Sequence, residues 1–271
     1  MALFSVIVPF FNSKHTIKST LFSIKNQTIK DFECILINDG SKDKSGDIVS
    51  DYIGNDERFI LIKNNTNIGV VNSRNKAIKN SSGRFITFLD SDDLWHPRFL
   101  EECLNKRKLF INGLAITHSN LYKISISEKK INYSLVNFPK QISHKNILNK
   151  NFMALSTVCI DKSIVGNFEF QNVRPEDYKL WIDLLYIKKF ISVSLDKPLS
   201  FYRISKDQRS NNKFFALKRI YKFYGKLPRS NFLKKIKRTI IWVFYNCLER
   251  FSSRNTIDKF SKNYLNSIFF N

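Results

Sequence analysis

The chain has 271 residues, 43% of them hydrophobic, enough for one large domain or one domain with an appendage. Its 45 Lys and Arg against 23 acids give a formal charge of +22, which points to an anionic partner such as nucleic acid, a membrane surface or a phosphate-bearing substrate. No run of about 18 apolar residues predicts a bilayer span, and four scattered cysteines without a CxxC pair argue against a disulfide framework or a zinc site.

In chain order, residues 4–9 read as a buried strand stopped by Pro9 and Asn12. The early start of that strand leaves no room for a signal peptide, and the cysteines read as reduced core residues of a cytosolic protein. Ile17, Leu21 and Ile24 recur at helical spacing and predict a helix with one apolar face. A second strand over residues 32–37 ends in Asn38-Asp39-Gly40-Ser41, a helix follows over about 45–53, and a third strand over 59–62. The polar loop 64–69 leads into a helix carrying Val71, Arg74, Asn75 and Ile78, and the strand 84–89 closes the series. Such alternation predicts an α/β domain with a mostly parallel sheet flanked by helices.

That last strand runs straight into Asp90-Ser91-Asp92-Asp93. Three carboxylates within four residues repel one another and are costly to bury, so they call for a compensating cation. At a strand end they can hold Mg²⁺ or Mn²⁺ and leave coordination positions open for substrate phosphates, in the place where open α/β sheets bind ligands. The alternative is an acidic turn capping a helix that begins near Pro97. His15, His96, His118 and His144 stand apart from one another and read as structural or surface residues.

The C-terminal quarter concentrates the positive charge. From Arg203 to Asn271 there are seventeen Lys and Arg against three acids, a net of +14. Phe214, Phe215, Leu217, Ile220, Tyr221 and Tyr224 are interleaved with those cations, and a second helix follows. There Leu233, Ile236, Ile240, Val243 and Phe244 face one way, flanked by Lys234, Lys235, Lys237 and Arg238. Basic amphipathic helices of this type lie on anionic membrane surfaces. A helical pair packed on the preceding domain with a solvated basic side is the alternative. Nucleic acid is not expected as a partner, because no zinc finger, helix-turn-helix or RNP motif is present and the acidic N-terminal motifs would repel phosphate without a metal. A Rossmann dehydrogenase is set aside, since no GxGxxG follows the first strand. A binding protein without catalysis would leave the carboxylate clusters unexplained.

Five segments in this order resemble glycosyltransferase family 2, the nucleotide-sugar-dependent enzymes of GT-A fold. They are residues 5–12, Asn38-Asp39-Gly40-Ser41, Gly69 through Arg74-Asn75, Gly83 through Asp93, and Pro175-Glu176-Asp177-Tyr178-Lys179-Leu180-Trp181. The resemblance covers roughly residues 3–205 and is dense to about residue 100. It implies a GT-A domain over 1–210, with a nucleotide-sugar half of about 1–113 and an acceptor half of about 114–210, and a basic helical extension over 211–271.

The same resemblance implies roles for particular residues. The loop Pro9, Phe11, Asn12 would wall the nucleotide pocket with Phe11 stacked on the base, and Asp39 would accept a hydrogen bond from a uracil N–H. Arg74 would contact the base or the diphosphate. Asp90 would lie on the ribose side, beside Ser91, with Asp92 as the metal ligand and Asp93 able to exchange duties with it. Asp177 would be the base and Glu176 its supporting acid. Arg203, in Tyr202-Arg203-Ile204-Ser205, would close over the diphosphate. Many members have a His two residues after that Arg, and Ser205 stands there instead, which removes an expected histidine ligand. One base and no second nucleophile imply a single displacement with inversion. The implied reaction is metal-dependent (Mn²⁺ or Mg²⁺) transfer of a hexosyl or N-acetylhexosaminyl group from a nucleotide-sugar donor, UDP-linked by preference. The acceptor would be a polyprenyl-diphosphate-linked saccharide of an O-antigen, capsule or related surface polysaccharide, with the enzyme peripheral at the cytoplasmic face of the membrane.

Overall fold

Every side chain of β1 (Phe4–Phe10) and β2 (Phe32–Asn38) is buried, as expected for strands covered on both faces of a parallel sheet. The structure, a computed structural model, describes residues 2–111, 113–127, 130–204, 213–227, 230–252 and 257–270, with the side chains of 213–215 and 245–252 left aside. Ser205, the boundary expected between 210 and 211, and the side chains of Phe214 and Phe215 therefore lie outside the described residues. β1 and β2 pair in parallel, with Phe4 opposite Phe32 and Phe10 opposite Asn38. β3 (Phe59–Lys63) adds beyond β2 and β4 (Phe85–Phe88) flanks β1 on its other side, both parallel.

The crossovers are α1 (Ile17–Lys25), α2 (Ser45–Ile53) and α3 (Val70–Lys79). Ile17, Leu21 and Ile24 of α1 are fully buried, as their spacing predicts. Pro9 does not stop β1, which runs on to Phe10. The Ile7 carbonyl accepts from the Leu89 N–H at 3.0 Å, so Ile7 faces β4, and Pro9 two residues on faces the same way. Pairing with β4 has ended by then, at Ile7 opposite Phe88, so the missing proline N–H removes no ladder bond.

Beyond β4 the pattern changes. There follow β5 (Leu94–Trp95), α4 (Phe99–Lys108), β6 (Ile116–Ser127), β7 (Lys130–Val136), β8 (Gln141–Ile142), β9 (Val158–Asp161) and α5 (Lys162–Val165). Then come α6 (Glu176–Trp181), continued by a π-helical stretch over Ile182–Ile187, and β10 (Ser192–Arg203). The sheet order is β3-β2-β1-β4-β9-β6-β10-β5, with β7 beside β6 and β8 beside β10. β9 is antiparallel to both β4 and β6, whereas β10 is parallel to β6. The sheet is thus parallel through its first four strands and mixed thereafter. Its direction of growth reverses between β1 and β4, the topological switch point at which such sheets open a crevice.

Alternation along β1 divides the core. Val6 and Val8 join α1 and α4 residues on one face, while Ile7 joins Ala77 of α3 and Trp181 of α6 on the other. The C-terminal helices are α7 (Lys213–Gly225), α8 (Phe232–Ser252) and α9 (Lys259–Phe269). Two of them are seated in the body of the protein. Ile220, Phe223 and Tyr224 of α7 are buried with Tyr178 and Trp181, and Leu265 of α9 is buried against Leu94, Tyr122 and Phe201. α8 leans on α7 through Lys235, whose ammonium lies 3.7 Å from the centre of the Tyr221 ring. Its opposite side exposes Phe232, Leu233, Ile240, Val243 and Phe244. Among the described residues no helix is long and apolar enough to cross a membrane.

Candidate active site

The C-terminal ends of the neighbouring strands β2, β1 and β4 lead into Asp39, Phe11 and Asp90. The turn after β4 closes with the Asp93 N–H donating to the Asp90 carbonyl at 3.0 Å. α1 holds this turn from below: the Thr20 hydroxyl donates to the carbonyls of Ser91 at 3.0 Å and Asp93 at 2.9 Å. The Ser91 and Ser13 hydroxyls are hydrogen-bonded at 2.8 Å, which ties the turn to the loop after β1. Asp90 and Asp92 remain partly exposed, whereas Asp93 is 1% exposed.

Asp93 is a wall residue. One of its oxygens accepts from the Ser156 hydroxyl at 2.8 Å and the other from the Arg203 N–H at 3.1 Å. Burial, reinforced by the charges of Asp92 and Asp90, pushes its pKa well above the carboxylate range. Exchange of duties with Asp92 would forfeit both bonds, and Asp93 instead fastens the acidic turn to β10. The Arg203 side chain donates to the Ser19 hydroxyl at 2.8 Å and lies over the Phe269 ring of α9. Burial lowers its pKa, and the charges of Asp92 and Asp93 oppose that drop.

Arg74 lines a cavity and is engaged inside the protein. It is 4% exposed on α3, and its guanidinium donates to Asp90 at 2.6 Å and to Glu176 at 3.1 Å. Burial disfavours the cation, but the charges of Asp90 and Glu176 outweigh that and raise its pKa. Its neighbour Asn75 makes a reciprocal pair with the backbone of Phe170, both bonds at 2.8 Å. α3 therefore grips the segment that leads to Glu176 and Asp177, so the two ends of the site are joined through buried side chains.

Glu176 and Asp177 open α6, where the helix N-terminus favours negative charge. The Asn151 amide donates to Asp177 at 2.9 Å. Burial, and next the charge of Glu176, raise the Asp177 pKa to about 6, against weaker opposing effects from the Tyr178 N–H, Arg74 and Asn151. A carboxylate tuned to that range is deprotonated at neutral pH yet basic enough to take a proton from a hydroxyl in a transition state.

In the loop after β1 Phe11 is 44% exposed, a ring open to stacking. Asn12 takes a positive φ of 50° and accepts from the Lys42 N–H at 2.8 Å, which binds the first loop to the second. Asp39 is bonded within the protein. It accepts from the Asn64 amide and the Ile68 N–H at 2.9 Å and from the Gly69 N–H at 3.0 Å, fixing the loop that leads into α3. Three of about four acceptor positions on the carboxylate are thereby taken.

Asp92 is a partly exposed carboxylate on the turn after β4. Among the described residues no three or more His, Cys, Asp or Glu side chains converge as a protein cage. Mg²⁺ and Mn²⁺ sites serving phosphates need only one or two carboxylates, the remaining positions being filled by water and substrate. A cavity of about 360 Å³ is bounded by Arg74, Asp90, Asn151, Glu176 and Asp177, with Arg174 and Arg219 also on its wall. Sequence reasoning did not find Thr20, Asn151 or Ser156, which act through contacts between residues far apart in the chain. Only Asn75 carried a signal, as part of the Arg74-Asn75 pair.

Residues 5–164 match the glycosyl transferase family 2 domain. An uncharacterized glycosyltransferase of Haemophilus influenzae is 32% identical over 244 residues, covering 90% of this chain and 96% of its own. The UDP-Glc:alpha-D-GlcNAc-diphosphoundecaprenol beta-1,3-glucosyltransferase WfgD of Escherichia coli is 33% identical over 223 residues, 82% of this chain and 85% of WfgD. Among solved structures, S. aureus TarS in complex with UDP-GlcNAc superposes with a TM-score of 0.62 at 18% identity, over 90% of this chain and 72% of that one. That last likeness is one of fold.

Proposed function

The chain belongs to glycosyltransferase family 2, and from that premise we propose that it moves a sugar from UDP to a saccharide carried on polyprenyl diphosphate, with inversion. The observation that carries this reading is the Arg74 bridge, which ties Asp90, after β4, to Glu176, beside Asp177, on the wall of one cavity. Relatives such as WfgD, named for action on GlcNAc-diphosphoundecaprenol, support the acceptor class.

The nucleotide's base stacks on Phe11, with Pro9 and Asn12 shaping the loop, and Asp39 uses its remaining acceptor position for the uracil N–H. Asp90 faces the ribose, Ser91 keeps the turn in place, and Asp92 holds Mn²⁺ or Mg²⁺. That cation, when bound, offsets the charge that grows on the departing diphosphate. Arg203 adds positive charge beside Asp92. Asp177 accepts the proton of the acceptor hydroxyl while its oxygen bonds to the anomeric carbon. The bond from that carbon to the β-phosphate oxygen breaks, and its electron pair leaves with UDP. Glu176, held by Arg74, keeps Asp177 oriented and its pKa raised.

Assembly of a surface polysaccharide fits this chemistry, as does a peripheral position at the cytoplasmic face of the membrane. The exposed apolar side of α8, bordered by Lys234 and Lys237, is the surface that would meet anionic lipid. A panel of nucleotide-sugars assayed for UDP or GDP release with lipid-diphosphate-linked saccharides tests the function. Acceptor-dependent UDP release is expected, and no acceptor-dependent release from any donor would overturn it.

A further inference from the structure

Two cations on the cavity wall have no part in the reaction just described. Arg174 sits on the loop immediately before α6, next to the proposed base, and Arg219 comes from α7. Both are exposed. Among the described residues neither has an ion-pair or hydrogen-bond partner, unlike Arg74 with its two carboxylates and Arg203 with Ser19. The acids nearest Arg174 in sequence make their bonds elsewhere: Glu176 with Arg74, and Asp177 with Asn151. Neither arginine is thus held in an ion pair among the described residues, and both border a cavity large enough for a ligand.

The surroundings extend the same sign of charge. The α7 segment from Lys213 to Gly225 contains no acid at all, and Lys218, Arg219 and Lys222 are exposed on it. α8, packed against α7, turns its apolar side outward. A positive wall thus leads from the base end of the cavity toward the surface that suits lipid. In the reaction proposed above the donor's diphosphate belongs with the cation at Asp92, on the turn after β4. Arg174 and Arg219 come from segments that follow β9, on the side of Asp177.

We propose that Arg174 and Arg219 form a subsite for the diphosphate of a lipid-linked acceptor. Guanidinium forks suit this group because each pairs two donors with phosphate oxygens. Anchoring the diphosphate there sets the first acceptor sugar against Asp177 and directs the lipid toward α8. This inference rests on the acceptor class proposed above and assigns that class a place on the chain.

The test uses the full-length protein and farnesyl diphosphate, a short isoprenyl diphosphate, in calorimetry with chelator present. Binding is expected, with a loss of at least about tenfold in the double variant R174Q/R219Q, because charge-assisted bonds are removed. A second titration with UDP and Mg²⁺ already bound should give the same affinity for farnesyl diphosphate. UDP–Mg²⁺ binding by the double variant shows that it is folded and separates this inference from the donor chemistry. Inorganic pyrophosphate should bind through the same pair more weakly, and phosphatidylglycerol vesicles should bind equally well to both proteins. No binding by the unaltered protein, equal binding by the variant, or displacement by UDP would overturn the proposal. So would a loss of vesicle binding matching the loss of farnesyl diphosphate, since the pair would then be a lipid headgroup site. Failure of the nucleotide-sugar panel with this titration intact would instead remove the transfer reaction and keep the diphosphate site.

Discussion

Asp177 joins two properties that can be measured against each other. Folding raises its pKa to about 6, so its protonated form is the one favoured by the folded state. Its contribution to stability is therefore full below the ordinary carboxylate range and lost as pH rises through about 6. Replacing Asp177 with Asn removes that loss, and at neutral pH the variant should gain up to about 3 kcal/mol, read as a rise in Tm. The same variant should lose on the order of 10²–10⁴ in kcat with donor affinity nearly kept, because a proton acceptor has gone and no charge clamp has. In the unaltered enzyme the rate should climb between pH 5 and 7 with an inflection near 6; a flat profile there would move the base to Glu176. Asp92 and Asp93 should separate in the opposite way. Asp92→Ala should abolish metal-dependent UDP binding with little change in Tm. Asp93→Ala, which strands the Ser156 hydroxyl and the Arg203 N–H, should cost about 1–3 kcal/mol for each group left unsatisfied. Equal Tm values for the two variants would contradict the wall role of Asp93. That difference was not legible in the sequence. Three acids in four residues announce a charge problem, but which of them turns inward depends on Ser156 and Arg203, 63 and 110 positions away.

At the scale of elements, the strands and helices up to β4 were legible because each is a run of β-prone or 3.6-periodic residues stopped by Pro, Gly or Asn. α2, for instance, occupies Ser45–Ile53, the span its pattern predicts. Beyond Leu114 the reading thinned for a physical reason. β9 has four residues and is inserted between β4 and β6, so its partners lie both before and far before it. No local period encodes such an arrangement. α7 shows the same limit. Its interleaved aromatic and basic residues fit a membrane arm and a packed helix equally well, and the outcome depends on whether Tyr178 and Asn149 present a surface for it. They do: the Phe223 and Tyr178 ring centres are 5.0 Å apart, and the Tyr224 hydroxyl donates to the Asn149 carbonyl at 2.9 Å. Phe223→Ala should accordingly cost about 3–5 kcal/mol in denaturant unfolding, while Ile240→Ala on the exposed side of α8 should stay within about 0.5 kcal/mol. Similar costs at both positions would mean that α8, too, is seated in a core.

For the whole molecule, the charge of +22 and the seating of the C-terminal helices together decide how membrane attachment must be tested. Cutting the chain near residue 215 would remove Ile220, Phe223, Tyr224, Leu227 and Leu265, all buried. An insoluble truncation would then report a broken core and nothing about lipid. The surface to alter is the outer side of α8, where Leu233, Ile240 and Phe244 are more than half exposed and take no part in those clusters. The full-length protein should co-sediment with phosphatidylglycerol vesicles, and raising salt should weaken that binding, since screening shortens electrostatic reach to about 8 Å at physiological ionic strength. Apolar burial should preserve a remainder at high salt. Ile240→Glu with Phe244→Glu should remove that salt-resistant remainder, because charge cannot enter the acyl boundary without a large penalty, and should leave Tm unchanged. Release by salt alone, with the double glutamate variant binding as before, would show that the net positive charge of the chain attaches it without help from α8. A salt-resistant part that is lost in the variant would instead place lipid attachment on the outer side of α8.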